Sequence, residues 1–276
     1  RINSLFGFGQ LSYKNYAFLD FSGRNDWSSV LPVKNNSFFY PAVSGSFILS
    51  EVLGLQNAKV NYVKLRAGWS KVGGTGPLEE YSTNRTFALG NSNFGTQSSI
   101  PNTQWNPNIK PESTIGTEFG VDVNAYGNRV RLAATYYSQT STDLILPLQV
   151  EAASGFTSSW ENAGEMTNKG IELQLGLTPI KTDNFSFDID LNFAKNKNEV
   201  TSLSGADSYT LGGQWGMELQ AIPGQAYGSI VGFPYARTES GDIIYENGLP
   251  KVNNSELAVL GNITPDWTGG ANFTFK

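Results

Sequence analysis

The 276-residue sequence contains no cysteine and no histidine. Their absence removes thiol nucleophiles, disulfide frameworks, Cys/His zinc sites and Ser-His-Asp triads together. Charge is scarce as well: Asp, Glu, Lys and Arg make up 16% of the chain, where a soluble domain carries about 25%. The balance of 19 cations to 24 anions, net −5, argues against a basic nucleic-acid surface. Long apolar runs are missing too. No stretch approaches the roughly 18 residues of a transmembrane helix, and Arg1-Ile2-Asn3-Ser4 does not read as a signal-peptide n-region. A membrane-spanning β-barrel survives these exclusions, because it shows only segments of about 10 residues with alternating hydrophobicity.

What the chain does have is aromatics, at 13%, and 30 glycines, a β-rich composition. Period-two alternation follows. Leu5, Gly7, Gly9, Leu11 and Tyr13 share a face, the turn Lys14-Asn15 comes next, and Ala17, Leu19 and Phe21 alternate with Phe18, Asp20, Ser22 and Arg24. The pattern returns at Val43, Gly45, Phe47 and Leu49, then, after a 50–58 connection with room for one helical turn, at Val63, Leu65, Ala67 and Trp69. It recurs at 115–123, after the turn Ala125-Tyr126-Gly127-Asn128 at Val130, Leu132, Ala134 and Tyr136, and then at 171–177, 185–193 and 268–276. Nine strands are expected, with connections that alternate strictly: short after the odd strands, and long after the even ones at 25–37, 72–111, 142–168 and 195–266.

Short turns on one side and long loops on the other are the asymmetry of an outer-membrane barrel. The strands also carry charge on one face and almost none on the other, as when one face meets lipid and the other a wet lumen. The expected fold is therefore all-β, an antiparallel transmembrane β-barrel segment. A secreted β-sandwich that binds carbohydrate is the alternative, since a sandwich core also takes one apolar face per strand. Single-chain bacterial barrels close with an even strand number, so nine strands suggest part of a larger barrel.

Several strings then stand out: Asn108-Ile109-Lys110-Pro111-Glu112; Ala134-Thr135-Tyr136-Tyr137 leading to Thr142-Asp143-Leu144-Ile145; Asn162-Ala163-Gly164-Glu165-Met166-Thr167-Asn168-Lys169-Gly170; Leu191-Asn192-Phe193-Ala194-Lys195-Asn196-Lys197-Asn198; Ile222-Pro223-Gly224-Gln225-Ala226-Tyr227-Gly228; and Thr264-Pro265-Asp266-Trp267. In this order they resemble the SusC/RagA family of TonB-dependent outer-membrane transporters of Bacteroidota, over nearly the whole chain. The resemblance implies a plugged barrel of about 22 strands, of which residues 1–276 form part of one barrel domain. The plug, the TonB box and the N-terminal carboxypeptidase-like domain are absent from this chain. It further implies import of oligosaccharides or peptides, a SusD-like surface lipoprotein as lid, TonB-ExbB-ExbD as energy source, and a multi-pass location in the outer membrane. No enzyme activity and no cofactor are expected.

The chemical motifs are weak. Asp188-Ile189-Asp190-Leu191-Asn192 imitates half an EF-hand loop, but its sixth position is Phe193 where glycine is needed. Gly7-Phe8-Gly9 lacks the third glycine of a dinucleotide fingerprint. Glu79-Glu80 and Asp188/Asp190 lack the cleft that a glycosidase pair requires. No catalytic residue and no metal ligand are assigned.

Two sets of residues carry the functional expectation instead. Lys64, Arg66, Glu118, Asp122, Arg129, Arg131, Glu172, Asp188 and Asp190 are expected to line the lumen. Trp27, Trp105, Trp160, Tyr209 and Trp215 fall in the expected long loops beside Asn, Gln, Asp and Ser. Flat apolar faces next to planar hydrogen-bonders suit sugar rings or peptide side chains, and equally suit packing of loops on each other or on the lid. Trp69, Tyr136 and Tyr137 are expected in the aromatic girdle.

Overall fold

The computed structural model describes residues 1–55, 59–93 and 95–276; 56–58, the end of the expected 50–58 connection, and Phe94 lie outside the described residues. Nine long strands form one antiparallel sheet in chain order: β1 (Ile2–Tyr13), β2 (Ala17–Ser28), β3 (Ser37–Ile48), β4 (Val60–Gly74), β5 (Glu112–Ala125), β6 (Val130–Gln149), β7 (Ser158–Lys181), β8 (Ser186–Ser202) and β9 (Thr268–Phe275). Among the described residues the smaller sheets lie within loops, and none packs on this one in the manner of a sandwich. Among the described residues β1 pairs only with β2 and β9 only with β8.

Residues directly opposite in a ladder share a face, so the register sorts the side chains. One row runs Gly9, Phe21, Val43, Trp69, Thr117; the next runs Leu11, Leu19, Gly45, Ala67, Phe119, Tyr136, Ile171. Further rows bring Val121, Ala134, Leu173 and Phe193 together, then Val123, Leu132, Leu175 and Leu191. This face is apolar across the sheet and open to the surroundings, with Phe119 59% and Phe273 57% exposed. A soluble protein rarely leaves so large a patch uncovered. The opposite face carries Asp20, Ser44, Arg66, Glu118, Thr135, Glu172 and Asn192.

At one edge the connections are 14–16, 49–59, 126–129 and 182–185; at the other they are 29–36, 75–111, 150–157 and 203–267. Strict short and long alternation does not hold, because 49–59 is longer than 29–36 or 150–157. The helical turn expected there is α1 (Leu49–Leu53), closed by Gly54 in the left-handed region. Where the chain reverses tightly the backbone enters positive φ, at Lys14 and Asn15 and at Tyr126, Gly127 and Asn128, as the turn residues predict.

The long strands also overrun their expected ends on the loop side. The stretch expected as a 142–168 loop is mostly ladder: β6 and β7 stay paired up to Gln149 and Ser158. Above the apolar band neither face meets a uniform solvent, so alternation fades while backbone pairing continues.

The register makes a direct prediction. Leu173 and Gln174 are neighbours on opposite faces of β7. Leu173→Arg should cost about 2–4 kcal/mol of folding free energy in lipid bilayers, and Gln174→Arg less than about 1. Urea titration of the full-length protein in liposomes compares the two; equal costs would contradict the facing.

Candidate functional site: the polar wall and its ordered rim

On the polar face, charges are held in cross-strand pairs. Arg66 reaches both carboxylate oxygens of Asp122, at 3.0 and 3.1 Å, and donates to Thr135 Oγ1 at 3.3 Å; the forked guanidinium fits a carboxylate in this two-point manner. Arg131 contacts Asp190 at 3.3 Å and donates to Thr178 Oγ1, which in turn donates to Asp188 Oδ1 at 2.7 Å. The half EF-hand is thus a wall of strand carboxylates engaged by Arg131 and Thr178.

Glu118 and Glu172 make no ion pair among the described residues. They border a concavity of about 320 Å³ walled by Thr135, Tyr137, Gln139, Asn168 and Asn196. Tyr137 donates to Asn196 Oδ1 at 3.1 Å, and the Asn196 and Asn198 amides both donate to Asn168 Oδ1 at 3.2 and 2.9 Å. Gly170 permits this: a Cβ there would stand 2.5 Å from the Tyr137 hydroxyl and 2.6 Å from the Lys195 carbonyl. Tyr137 therefore belongs to the polar face, correcting the girdle expectation, while its neighbour Tyr136 lies on the apolar face with Trp69. Trp267, stacked 6.0 Å from Phe193, joins that apolar side.

Eight of the nine expected lumen residues share the polar face by register. Arg129 does not: it sits in the 126–129 turn, donating to the Lys181 carbonyl, because β6 starts one residue later at Val130.

Above the wall the loops are built around buried side chains. Ile109 is 0% and Ile145 1% exposed, packed with Leu31 and Leu78 and flanked by Val30, Phe38 and Trp160. Three of the strings singled out in the sequence converge here. Asn162 Oδ1 accepts from the Lys110 N–H at 2.8 Å, and its Nδ2 donates to the Lys110 and Asp143 carbonyls at 2.9 and 2.8 Å. One side chain thereby acts as a piece of strand between the β6–β7 hairpin and the 75–111 loop. Glu112 Oε1 accepts from the Ile145 N–H at 2.9 Å. Gly76, at φ +53, lies under that carboxylate, where a Cβ would collide with Oε1. Burial holds the Glu112 carboxyl above its ordinary 4.5, opposed by the Ile145 N–H; it lies beyond the apolar band of β5, which spans residues 115–123.

The 203–267 loop docks separately. Its strands Tyr209–Gln214, Met217–Ala221, Ser229–Gly232 and Ala258–Asn262 form a four-stranded sheet. Its root is fixed by Val200 N–H to the Gln225 carbonyl at 2.9 Å and by Tyr227 N–H to Asn198 Oδ1 at 2.7 Å. Val200, Leu203 and Ala221 form its core.

These contacts redistribute the loop aromatics. Trp160 lies in β7 and packs on the Ile109 core; Tyr209 packs on the Val200 core. Trp27 is the penultimate residue of β2 and shares the face of Phe21 and Asn25, so it points to the apolar side. The corrections for Trp160 and Trp27 follow from strands longer than alternation reveals, whereas Tyr209 stays in its expected loop and takes the packing role. Trp105 remains in a loop, edge-on to Phe156 at 5.7 Å, with the Arg85 guanidinium 5.6 Å from its ring and 5.4 Å from that of Phe87. Trp215 occupies a hairpin tip and is 93% exposed.

One uncovered apolar face, one polar face with paired charges, and an ordered rim of loops define a wall segment of a membrane-spanning β-barrel. Comparison with known proteins agrees. The family model described as TonB dependent receptor-like, beta-barrel, matches residues 1–275. TonB-dependent receptor P26 of Formosa agariphila is 31% identical over 214 residues, covering 75% of this chain and 21% of that protein. SusC of Bacteroides thetaiotaomicron is 27% identical, covering 72% and 21%. The RagAB peptide transporter structure superposes with a TM-score of 0.82 over 99% of this chain and 32% of its own, at 23% identity. The chain belongs to the TonB-dependent receptor β-barrel family, and is an outer-membrane protein. It spans between a fifth and a third of the length of these three relatives. These relatives are receptors and transporters rather than enzymes, and the sandwich alternative is not supported.

The rim yields two expectations. Asn162→Ala removes three hydrogen bonds at the junction and should lower the opening free energy of the 75–111 loop by about 2–4 kcal/mol, seen as faster amide exchange at Ile109 and Lys110 with β1–β3 unchanged. Because folding raises the Glu112 carboxyl, the folded rim holds a proton that the unfolded chain has released. Rim protection should therefore fall as pH rises from the ordinary glutamate range through the raised value, and Glu112→Gln should flatten that dependence.

Proposed function

We propose that this chain supplies part of the barrel wall and extracellular rim of a TonB-energised outer-membrane importer of oligosaccharides or peptides. In this reading residues 1–276 belong to a single barrel domain, and the plug, TonB box and carboxypeptidase-like domain lie outside them. A SusD-like surface lipoprotein covers the mouth, and TonB-ExbB-ExbD drives the transport cycle.

The observation that carries the reading is the division of one continuous sheet into an apolar face and a hydrated face bearing Arg66–Asp122 and Arg131–Asp190. Such a wall separates lipid from a water-filled passage. Lys64, Arg66, Glu118, Asp122, Arg131, Glu172, Asp188 and Asp190 line that passage. The Asn168/Asn196 concavity offers donors and acceptors without an apolar trap, which suits polar cargo that must leave again. On the rim, Trp105 backed by Arg85 is the flat surface best placed to meet a sugar ring or a peptide side chain.

The test is uptake by cells carrying the full-length protein, with fluorescent oligosaccharides and peptides as separate probes. Import of one class should vanish on deletion of the protein and on deletion of TonB, and Trp105→Ala should raise the half-saturating concentration several-fold. Import that continues at the same rate without TonB would refute the energised mechanism.

A further inference from the structure

The 203–267 loop combines a net negative charge with exposed apolar side chains; the 75–111 loop exposes Tyr81 and Leu89 as well but carries two cations against two carboxylates. The former holds seven of the carboxylates and only two cations, Arg237 and Lys251, a net −5 that equals the charge of the whole chain. It also exposes large apolar side chains far from the lipid-facing rows. Trp215 is 93% exposed at a hairpin tip, and Met217 (53%) and Leu260 (49%) flank Gly232 on one face of the loop sheet. A second hairpin, Tyr245–Glu246 paired with Leu249–Pro250, presents Leu249 at 70% and Tyr245 at 63%. Both tips are tight turns with consecutive positive φ, at Trp215-Gly216 and Asn247-Gly248. Their backbone is pinned, so these side chains are displayed at fixed points.

We infer that this acidic, aromatic-tipped loop module is a docking surface for a protein partner whose matching face is basic and holds an apolar pocket for the Trp215 indole. The inference deepens the importer reading, in which that partner is the lipoprotein lid. Charge decides among occupants. A second copy would set −5 against −5, and a lipid surface with anionic headgroups would be repelled in the same way. A small cargo molecule would favour a concavity, whereas Trp215 and Leu249 stand on projecting turns. An indole anchor surrounded by charge is the anatomy of a protein interface: the buried aromatic supplies affinity, and the charged rim supplies association rate and salt dependence.

Full-length transporter and its co-purifying surface lipoprotein, separated and re-mixed in detergent, test this. Trp215→Ala should weaken their affinity by about 30-fold. Glu239→Lys with Glu256→Lys should slow association at low salt by about tenfold and flatten its salt dependence; neither carboxylate is ion-paired among the described residues. A photo-crosslinker at position 215 should capture the lipoprotein, and the heat-modifiable gel shift of the barrel should be unchanged in every variant. Equal affinity and equal salt dependence in wild type and variants would overturn the surface while leaving the importer reading intact. Unchanged lipoprotein binding with lost cargo uptake would also overturn it, moving Trp215 to the cargo path. Failure of any lipoprotein to bind wild type would overturn both the lid and this surface.

Discussion

Everything in this structure depends on the backbone ladder. A chain that passes through hydrocarbon must satisfy every N–H and C=O internally, and strands can do this only by pairing on both sides. Once the ladder is fixed, the two-residue period dictates where side chains go. Within the apolar band each strand turns its odd-numbered or even-numbered residues to lipid, and one slip of register there would place Glu118 and Glu172 in hydrocarbon. Within the apolar band the registers from β4 to β8 run without a bulge, and there Arg66–Asp122 and Arg131–Asp190 pair on the polar face; both are consequences of one constraint.

A second level of organisation stands on that ladder. Beyond the apolar band, β6 and β7 continue as a hairpin, and the 75–111 loop is tied to it by Asn162, Glu112 and the Ile109 core rather than by a sheet of its own. The 203–267 loop is anchored differently, through backbone bonds to Val200 and the asparagine set at Asn168, Asn196 and Asn198. The rim has two parts, one continuous with the wall and one carrying its own sheet and all of the net charge; they meet where Leu146 packs on the Val200 core and Ser204 Oγ donates to the Ala163 carbonyl at 3.2 Å. The first is suited to holding a vestibule in shape, the second to contacting something beyond it.

Much of the wall was legible in the sequence, because lipid imposes a uniform rule on every strand. The nine strands and the placement of Arg66, Asp122, Arg131 and Asp190 on one face follow from period two, and the helical turn at α1 from the room in its connection. The rule stops at the band. Trp27 and Trp160 read as loop residues because alternation had ended, although the ladder had not. Tyr209 packs, half-buried, on a core whose members Val200 and Leu203 lie across a β-strand end that alternation does not mark. Tyr137 was misplaced beside Tyr136 because aromatic pairs look alike in sequence and only parity separates them. The Asn162 junction was visible as a string but not as a mechanism, since its partners, Lys110 and Asp143, are far apart in the chain.

Facing is the central claim, and the absence of cysteine from this chain makes it directly measurable. Single cysteines placed in turn at residues 171–177 of the full-length protein in outer membrane, with any cysteines elsewhere replaced, would be probed with a water-soluble, membrane-impermeant thiol reagent and with a lipid-soluble one. Positions 172, 174 and 176 should react with the first and positions 171, 173, 175 and 177 with the second. Uniform labelling by the aqueous reagent, or protection without a two-residue period, would contradict the account.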